Sequence, residues 1–135
     1  IAGPKLRGLA ERHCVGFHPT KLPALRGRAA IGWTLLLGEK ETGASLFELG
    51  DGADDGDLLA QSQIAIDPRE NVASLALKLS VALRSMIAEL LPRLQAGDAV
   101  ATPQPADGVS YCARRSAEDS KINWSDGAAY IDRLI

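Results

Sequence analysis

Aromatic side chains are scarce in this chain: two Phe, two Trp and two Tyr make up 4% of its 135 residues. A core must therefore be built from Leu, Ile, Val and Ala. Cysteine is almost as rare, with only Cys14 and Cys112, far apart. That excludes a disulfide scaffold and fits free thiols in a reducing, cytoplasmic setting. No apolar run reaches the ~20 residues needed to span a bilayer, so membrane insertion is not expected. Neither sign of charge dominates: 15 Lys and Arg face 17 Asp and Glu, for a net charge of −2. Without a broad basic field, nucleic acid is disfavoured as the main ligand. The opening Ile1-Ala2-Gly3-Pro4 lacks Met, a basic segment and a small-residue cleavage site, so it does not read as a signal peptide. Cys and His do not cluster, so no metal site is expected. Gly50, Gly52 and Gly56 are not followed by a helix, which excludes a dinucleotide fingerprint.

What is present suits one ordinary domain with a real core, with 46% hydrophobic and 24% charged residues. Pro4 suits the first turn of a short helix to about residue 12, with Leu6 and Leu9 on one face. Residues 14–17 read as a buried strand presenting His18 at its end, and Pro19 and Pro23 then forbid continued ladder or helix. Ile31, Trp33, Leu35 and Leu36 have the spacing of a short buried helix stopped at Gly38. Strands are expected over residues 44–49 and 58–66, with a loop between. Asp67-Pro68-Arg69-Glu70 carries capping-box chemistry and predicts a helix from there to about residue 95. Its apolar face is Val72, Leu75, Leu79, Ala82, Leu83, Met86 and Leu90, and Pro92 should distort its last turn. Residues 97–108 read as an extended connection, 111–115 as a strand, and 125–135 as the start of a further helix.

Two segments carry chemistry. Phe17-His18-Pro19-Thr20-Lys21-Leu22-Pro23 ends a strand on a histidine and runs on to Arg26-Gly27-Arg28. Gly52-Ala53-Asp54-Asp55-Gly56-Asp57-Leu58-Leu59 packs three aspartates into a glycine turn. A histidine and an aspartate at strand ends form a minimal set for proton transfer at a reacting carbonyl. His13 lacks an acid at useful spacing and reads as a surface residue.

The order of these segments, the 36-residue interval from His18 to Asp54, and Gly38-Glu39-Lys40-Glu41-Thr42-Gly43 between them resemble the folate-dependent formyltransferase family. That family includes methionyl-tRNA formyltransferase and amino-sugar formyltransferases. The resemblance spans almost the whole chain. It implies an α/β fold: the later part of an open-sheet, Rossmann-like formyltransferase domain over residues 1–96, a linker over 97–109, and the start of a small β-containing domain over 110–135. The first half of the family's catalytic domain has no counterpart here, so the chain is expected to be a fragment.

The resemblance implies formyl transfer from 10-formyltetrahydrofolate, a cosubstrate, to a primary amine, with no metal required. His18 would sit beside the formyl carbon, accepting a proton or stabilising the oxyanion. Asp54, two residues before the glycine, would hold the imidazole and assist proton removal from the amine. The backbone of Leu49, Gly50, Asp51, Gly52 and Ala53 would line the pterin pocket. Arg26 and Arg28 are candidates for an anionic part of the acceptor, or ordinary surface charge. The segment from Tyr111 to Ser120 looks closer to the aminoarabinose formyltransferases than to the tRNA enzymes. A nucleotide-linked amino sugar is thus the favoured acceptor, with methionyl-tRNA and a hydroxyornithine-type amine as alternatives. The chain departs from the family at Gly16, where the pattern has an asparagine that would donate to the oxyanion. Either another group or water donates, or the protein is weakly active or inactive, the last being the reading as a non-catalytic binding module. A positive φ would be one reason for the glycine.

Overall fold

A computed structural model describes residues 3–135. Its centre is an antiparallel sheet in the order β1 (Val15–His18), β3 (Glu41–Glu48), β4 (Leu58–Ala65). The middle strand explains its own sequence. Residues 42–47 are all buried, so β3 is a run of small and apolar side chains, Thr42-Gly43-Ala44-Ser45-Leu46-Phe47, rather than an alternating one. Ala44 and Leu46 face a long helix, α3 (Val72–Ala96), and form the core with its Leu75, Leu79, Met86 and Leu90. Ser45, on the opposite face, stitches the chain after His18 to the sheet. Its hydroxyl donates to Thr20 O at 2.7 Å and accepts from Leu22 N–H at 3.2 Å and Gln61 Nε2 at 2.9 Å.

Helix α3 starts later than the Asp67-Pro68 signal predicts. Asp67 Oδ1 accepts Arg69 N–H at 3.0 Å, Asp67 O accepts Glu70 N–H at 2.9 Å and Glu70 Oε2 accepts Asp67 N–H at 3.3 Å, so the expected capping contacts form but close a turn rather than start the helix. The helix is capped instead by Asn71, whose side chain accepts from Ala73 and Ser74 N–H while Ser74 Oγ accepts from Asn71 N–H. Val72 is therefore exposed, whereas Leu75 and Leu79 are buried as the spacing requires. The helix runs through Pro92 to Ala96 and stops at Gly97 in the left-handed conformation (φ 78°).

Two other expectations are corrected, and a third in part. The first helix, α1 (Pro4–Arg7), is a single turn, and Leu6 and Leu9 are exposed rather than packed on a common face. Strand β1 lies at the sheet edge, and although Val15 and Phe17 pair with Glu48 and Leu46 on the α3 side of the sheet, both are exposed and only His18 is buried. In α2 (Ala30–Leu37) Leu36 is buried and Ile31 and Leu35 pack against the core as expected, while Ala30 and Thr34 are buried in addition and Trp33 is only half-buried. Past α3, Thr102 bridges to Leu58, and β5 (Tyr111–Cys112) pairs in parallel with β2 (Arg26–Gly27). A last helix, α4 (Ala128–Leu134), lies against α2, where Arg133 Nε donates to Leu36 O at 3.1 Å. No helix among the described residues is long and apolar enough to cross a membrane.

Candidate active site

His18 closes β1 and is 4% exposed. Its Nε2 lies 2.8 Å from Leu25 O. A carbonyl can only accept, so this nitrogen carries a hydrogen. The Nδ1 atom then faces Asp54, whose Oδ2 lies 3.3 Å away. That oxygen also accepts Gly27 N–H at 2.8 Å. Among the described residues Asp54 Oδ1 has no hydrogen-bond partner, and the side chain keeps 23% exposure. The structure thus joins the two candidate residues and leaves one carboxylate oxygen open to a reacting group. His18 offers Nδ1 alone, because Nε2 is committed to the backbone.

Both flanks of the imidazole are held in an uncommon backbone conformation. Leu25 has φ 55° and Asp54 φ 54°, neither being glycine. Left-handed non-glycine residues of this kind concentrate at functional sites. Leu25 is fixed by donating its N–H to Ser110 Oγ at 2.9 Å. Gly27, at φ 106°, could carry no side chain, because a Cβ would lie 2.4 Å from Cys112 O.

The loop bearing Asp54 is drawn tight at its base. Glu48 N–H donates to Asp57 O at 2.8 Å, and a Cβ on Gly56 would sit 1.7 Å from Glu48 O. Of the three loop aspartates, Asp54 is the one at the imidazole, while Asp55 and Asp57 are exposed. Leu49, Gly50 and Ala53 are half-buried, and Asp51 and Gly52 exposed. Arg7 donates to Gly50 O at 2.7 Å and pairs with Asp51, clamping the first half of that stretch. The backbone of Gly52 and Ala53 makes no hydrogen bond among the described residues, so its amide and carbonyl groups are available to a ligand.

The two arginines part company. Arg28 is exposed. Arg26 is 8% exposed and turned inward, donating to Gln104 Oε1 through Nε (3.2 Å) and Nη2 (2.7 Å) and to Tyr111 Oη through Nη1 (3.1 Å). The expectation that Arg26 meets an acceptor does not fit this placement, since the side chain is buried and each of its three nitrogens already donates within the protein. Gln104 is the residue that sequence reasoning missed. It lay in a stretch read as a connection, and its one signal is its setting, Pro103-Gln104-Pro105, where the flanking prolines favour an extended backbone.

His13 is also corrected. It pairs with Glu48 through Nδ1, and Glu48 also accepts Cys14 N–H at 3.3 Å. Their 35-residue separation hid this, yet Val15 lies opposite Glu48 in the β1–β3 register. Both cysteines are free. Burial pushes the Cys112 thiol up, and the nearby Asp54 charge pushes the same way.

Gly16 is explained by packing rather than by backbone angle, since it is not among the glycines of positive φ. A Cβ there would lie 2.5 Å from Leu49 Cδ2 and 2.9 Å from Phe47 Cζ. Apolar side chains therefore fill the space that a residue-16 side chain would need.

A cavity of about 410 Å³ opens beside His18, lined by Pro19, Gly27, residues 29–32 and Val72. Its walls are small and mostly apolar. A larger cavity, about 620 Å³, lies between α2, α4 and the turn before α3, and neither His18 nor Asp54 lines it. Among the described residues no group of His, Cys, Asp and Glu is arranged to hold a metal ion.

Comparison with known proteins places the chain. Residues 3–91 match the formyl transferase family. Methionyl-tRNA formyltransferase of Thermodesulfovibrio yellowstonii is 36% identical over 128 residues, which cover 94% of this chain and 41% of that protein. The chain thus spans about two fifths of the length of that relative. The crystal structure of an N-formyltransferase from Helicobacter canadensis, in complex with folinic acid and dTDP-3-aminofucose, is similar with a TM-score of 0.82 at 20% identity. The match covers 90% of this chain and 45% of that one. The formyltransferase PseJ from Anoxybacillus kamchatkensis is similar with a TM-score of 0.77 at 20% identity, over 100% of this chain and 71% of that one. These likenesses establish an α/β fold of the formyltransferase type.

Proposed function

Because the chain belongs to the formyl transferase family, we propose that His18 and Asp54 serve transfer of a formyl group from 10-formyltetrahydrofolate to a primary amine. The observation that carries this reading is the 3.3 Å approach of His18 Nδ1 to Asp54 Oδ2. It occurs beside a cavity with room for an amine.

In this reading the amine nitrogen attacks the formyl carbon and forms the new C–N bond. Negative charge builds on the formyl oxygen. Asp54 Oδ1, the oxygen without a protein partner, takes the proton that the amine sheds. His18, whose Nδ1 faces the carboxylate, stabilises the oxyanion. Collapse of the intermediate breaks the bond to folate N10. The proton passes from Asp54 to that nitrogen, leaving an N-formyl amine and tetrahydrofolate. The pterin lies along Leu49, Gly50, Asp51, Gly52 and Ala53, where the Gly52 and Ala53 backbone groups offer edge hydrogen bonds. Arg28, the exposed arginine, meets a phosphate of the acceptor.

The favoured acceptor is an amino sugar on a nucleotide carrier, of the kind represented by dTDP-3-aminofucose in complex with the similar Helicobacter canadensis enzyme. Methionyl-tRNA is the second reading, supported by the 36% identical relative. In the same reading residues 1–96 are the later part of the catalytic domain, 97–109 a connection, and 110–135 the start of a smaller domain whose first residues reach back to the dyad.

The test is formyl transfer by the full-length protein with 10-formyltetrahydrofolate and two acceptors, a dTDP-linked amino sugar and methionyl-tRNA. Wild type should turn over one of them, and His18→Asn and Asp54→Asn should each lose roughly 10²–10⁴-fold. Folate binding without transfer to either acceptor would instead favour a non-catalytic binding module, the reading that Gly16 motivates.

A further inference from the structure

We infer that Gln104 is a positioning residue for Asp54, and that residues 104–111 are a working part of the active site rather than a passive connection. This inference rests on the functional reading above.

Arg26 has only donors, and two of them, Nε and Nη2, converge on one atom of Gln104 at 3.2 and 2.7 Å. That atom must be the amide oxygen. The orientation of the amide is thereby fixed, and its NH₂ group has to point the other way. There it meets two carbonyls, Asp54 O at 2.8 Å and Gly56 O at 2.7 Å. Every donor and acceptor of the side chain is used. The two carbonyls bracket the tightest part of the loop, where Asp54 is held left-handed at φ 54° and Gly56 is pressed against Glu48 O. A left-handed aspartate is a costly local conformation, kept only when its surroundings over-determine it. Gln104 supplies that determination from outside the loop.

Behind Gln104 the chain of support is continuous. Arg26 is buried, its guanidinium lies 5.8 Å from the centre of the Tyr111 ring, and Arg26 pairs with Tyr111 in the β2–β5 ribbon. The next residue, Gly27, donates its N–H to Asp54 Oδ2. Asp54 is therefore gripped at its carbonyl through Gln104 and at its carboxylate through Gly27, and both grips trace to Arg26. The other partner of His18 is served by the same segment, because Ser110 holds Leu25. Releasing Gln104 frees Asp54 to relax toward ordinary backbone angles, and Oδ2 then swings away from Nδ1.

The experiment uses the full-length protein and compares Gln104→Ala, Gln104→Glu, Asp54→Asn and, as a control for general destabilisation, Leu79→Ala. Gln104→Glu keeps the arginine clamp but replaces the NH₂ donor with an acceptor facing two carbonyls, and it carries the test should Gln104→Ala fail to fold. The expected result is a kcat lowered about 10–100-fold by either Gln104 variant, with KM for the amine changed less than about twofold, the mark of a displaced catalytic group rather than a lost binding contact. The ring ¹⁵N signals of His18 should shift in both Gln104 variants, because its Nδ1 contact is lost. Leu79→Ala, assayed below its melting transition, should change neither. If Asp54→Asn is inactive while both Gln104 variants keep wild-type kcat and unshifted His18 signals, the inference is overturned and the functional reading stands. If Asp54→Asn is as active as wild type, the functional reading falls and takes the catalytic part of the inference with it. Unshifted His18 signals would then remove the structural part as well.

Discussion

Replacing Gly16 by asparagine tests the site where the chain departs from its family. The glycine is not in the left-handed region, so the substitution meets no backbone penalty. It meets side chains: the new Cβ would fall 2.5 Å from Leu49 Cδ2, 2.9 Å from Phe47 Cζ and 3.1 Å from Phe47 Cε1. Leu49 is half-buried and has room to turn aside. Phe47 is 2% exposed, and its ring must push into packed surroundings. Overpacking of this kind costs about 1–3 kcal/mol. For a chain of this size that lowers the melting temperature by roughly 3–15 °C. Shortening the obstacle with Phe47→Leu removes both ring atoms. The double variant should then be more stable than the sum of the single changes by about 1 kcal/mol, a coupling that chemical denaturation of the four proteins of the cycle measures. It should also be the more active form, because the amide then reaches the oxyanion without displacing the ring, and one such donor is worth roughly 10²–10³-fold in rate. Strict additivity, or a Gly16→Asn protein that melts with wild type, would refute the packing account.

Leu79→Ala should cost about 2–5 kcal/mol in urea unfolding, since Leu79 is 2% exposed in the core under the sheet; a loss below about 1 kcal/mol would mean that face is not packed as described. Arg28→Ala should leave stability within about 0.5 kcal/mol and raise KM for a phosphate-bearing acceptor. Arg26→Ala should lose about 1–3 kcal/mol, because it strands the Gln104 carbonyl; equal effects of the two substitutions on stability would contradict the division drawn between them. The Cys112 thiol, pushed up by burial and donating to Leu25 O and Arg26 O, should resist iodoacetamide near neutral pH in the folded protein and react after denaturation, as mass spectrometry would record.

Much of this site could be read from the chain. His18 and Asp54 were legible because proline, glycine and strand-end signals are local, and because the interval between them matched a known pattern. The helix face of Leu75, Leu79, Met86 and Leu90 was legible because burial against a sheet imposes a helical period on the apolar residues. The start of that helix was not, since Asp67 and Asn71 both offer capping chemistry and only tertiary packing chooses between them. Arg26, Gln104 and Glu48 escaped for another reason. Their roles arise from contacts across 78, 50 and 35 residues with Gln104, Asp54 and His13, and no window on the sequence holds both partners. A buried arginine and an exposed one, two positions apart in Arg26-Gly27-Arg28, look alike until the strand that covers one of them is in place.

The ribbon that covers it bears on the order in which the molecule comes together. Strands β3 and β4 are neighbours in the chain, and α3 follows them directly, so the sheet and its helix can condense from contacts of short reach. The Arg26–Tyr111 pairing joins residues 85 apart and closes only after the loop entropy of everything between has been overcome. The His18–Asp54 geometry would then be the last thing acquired. A chain halted before residue 104 could be compact, helical and well packed around Leu79, yet hold Asp54 in no fixed place, and its folding would be complete by every measure except the one that matters to a substrate.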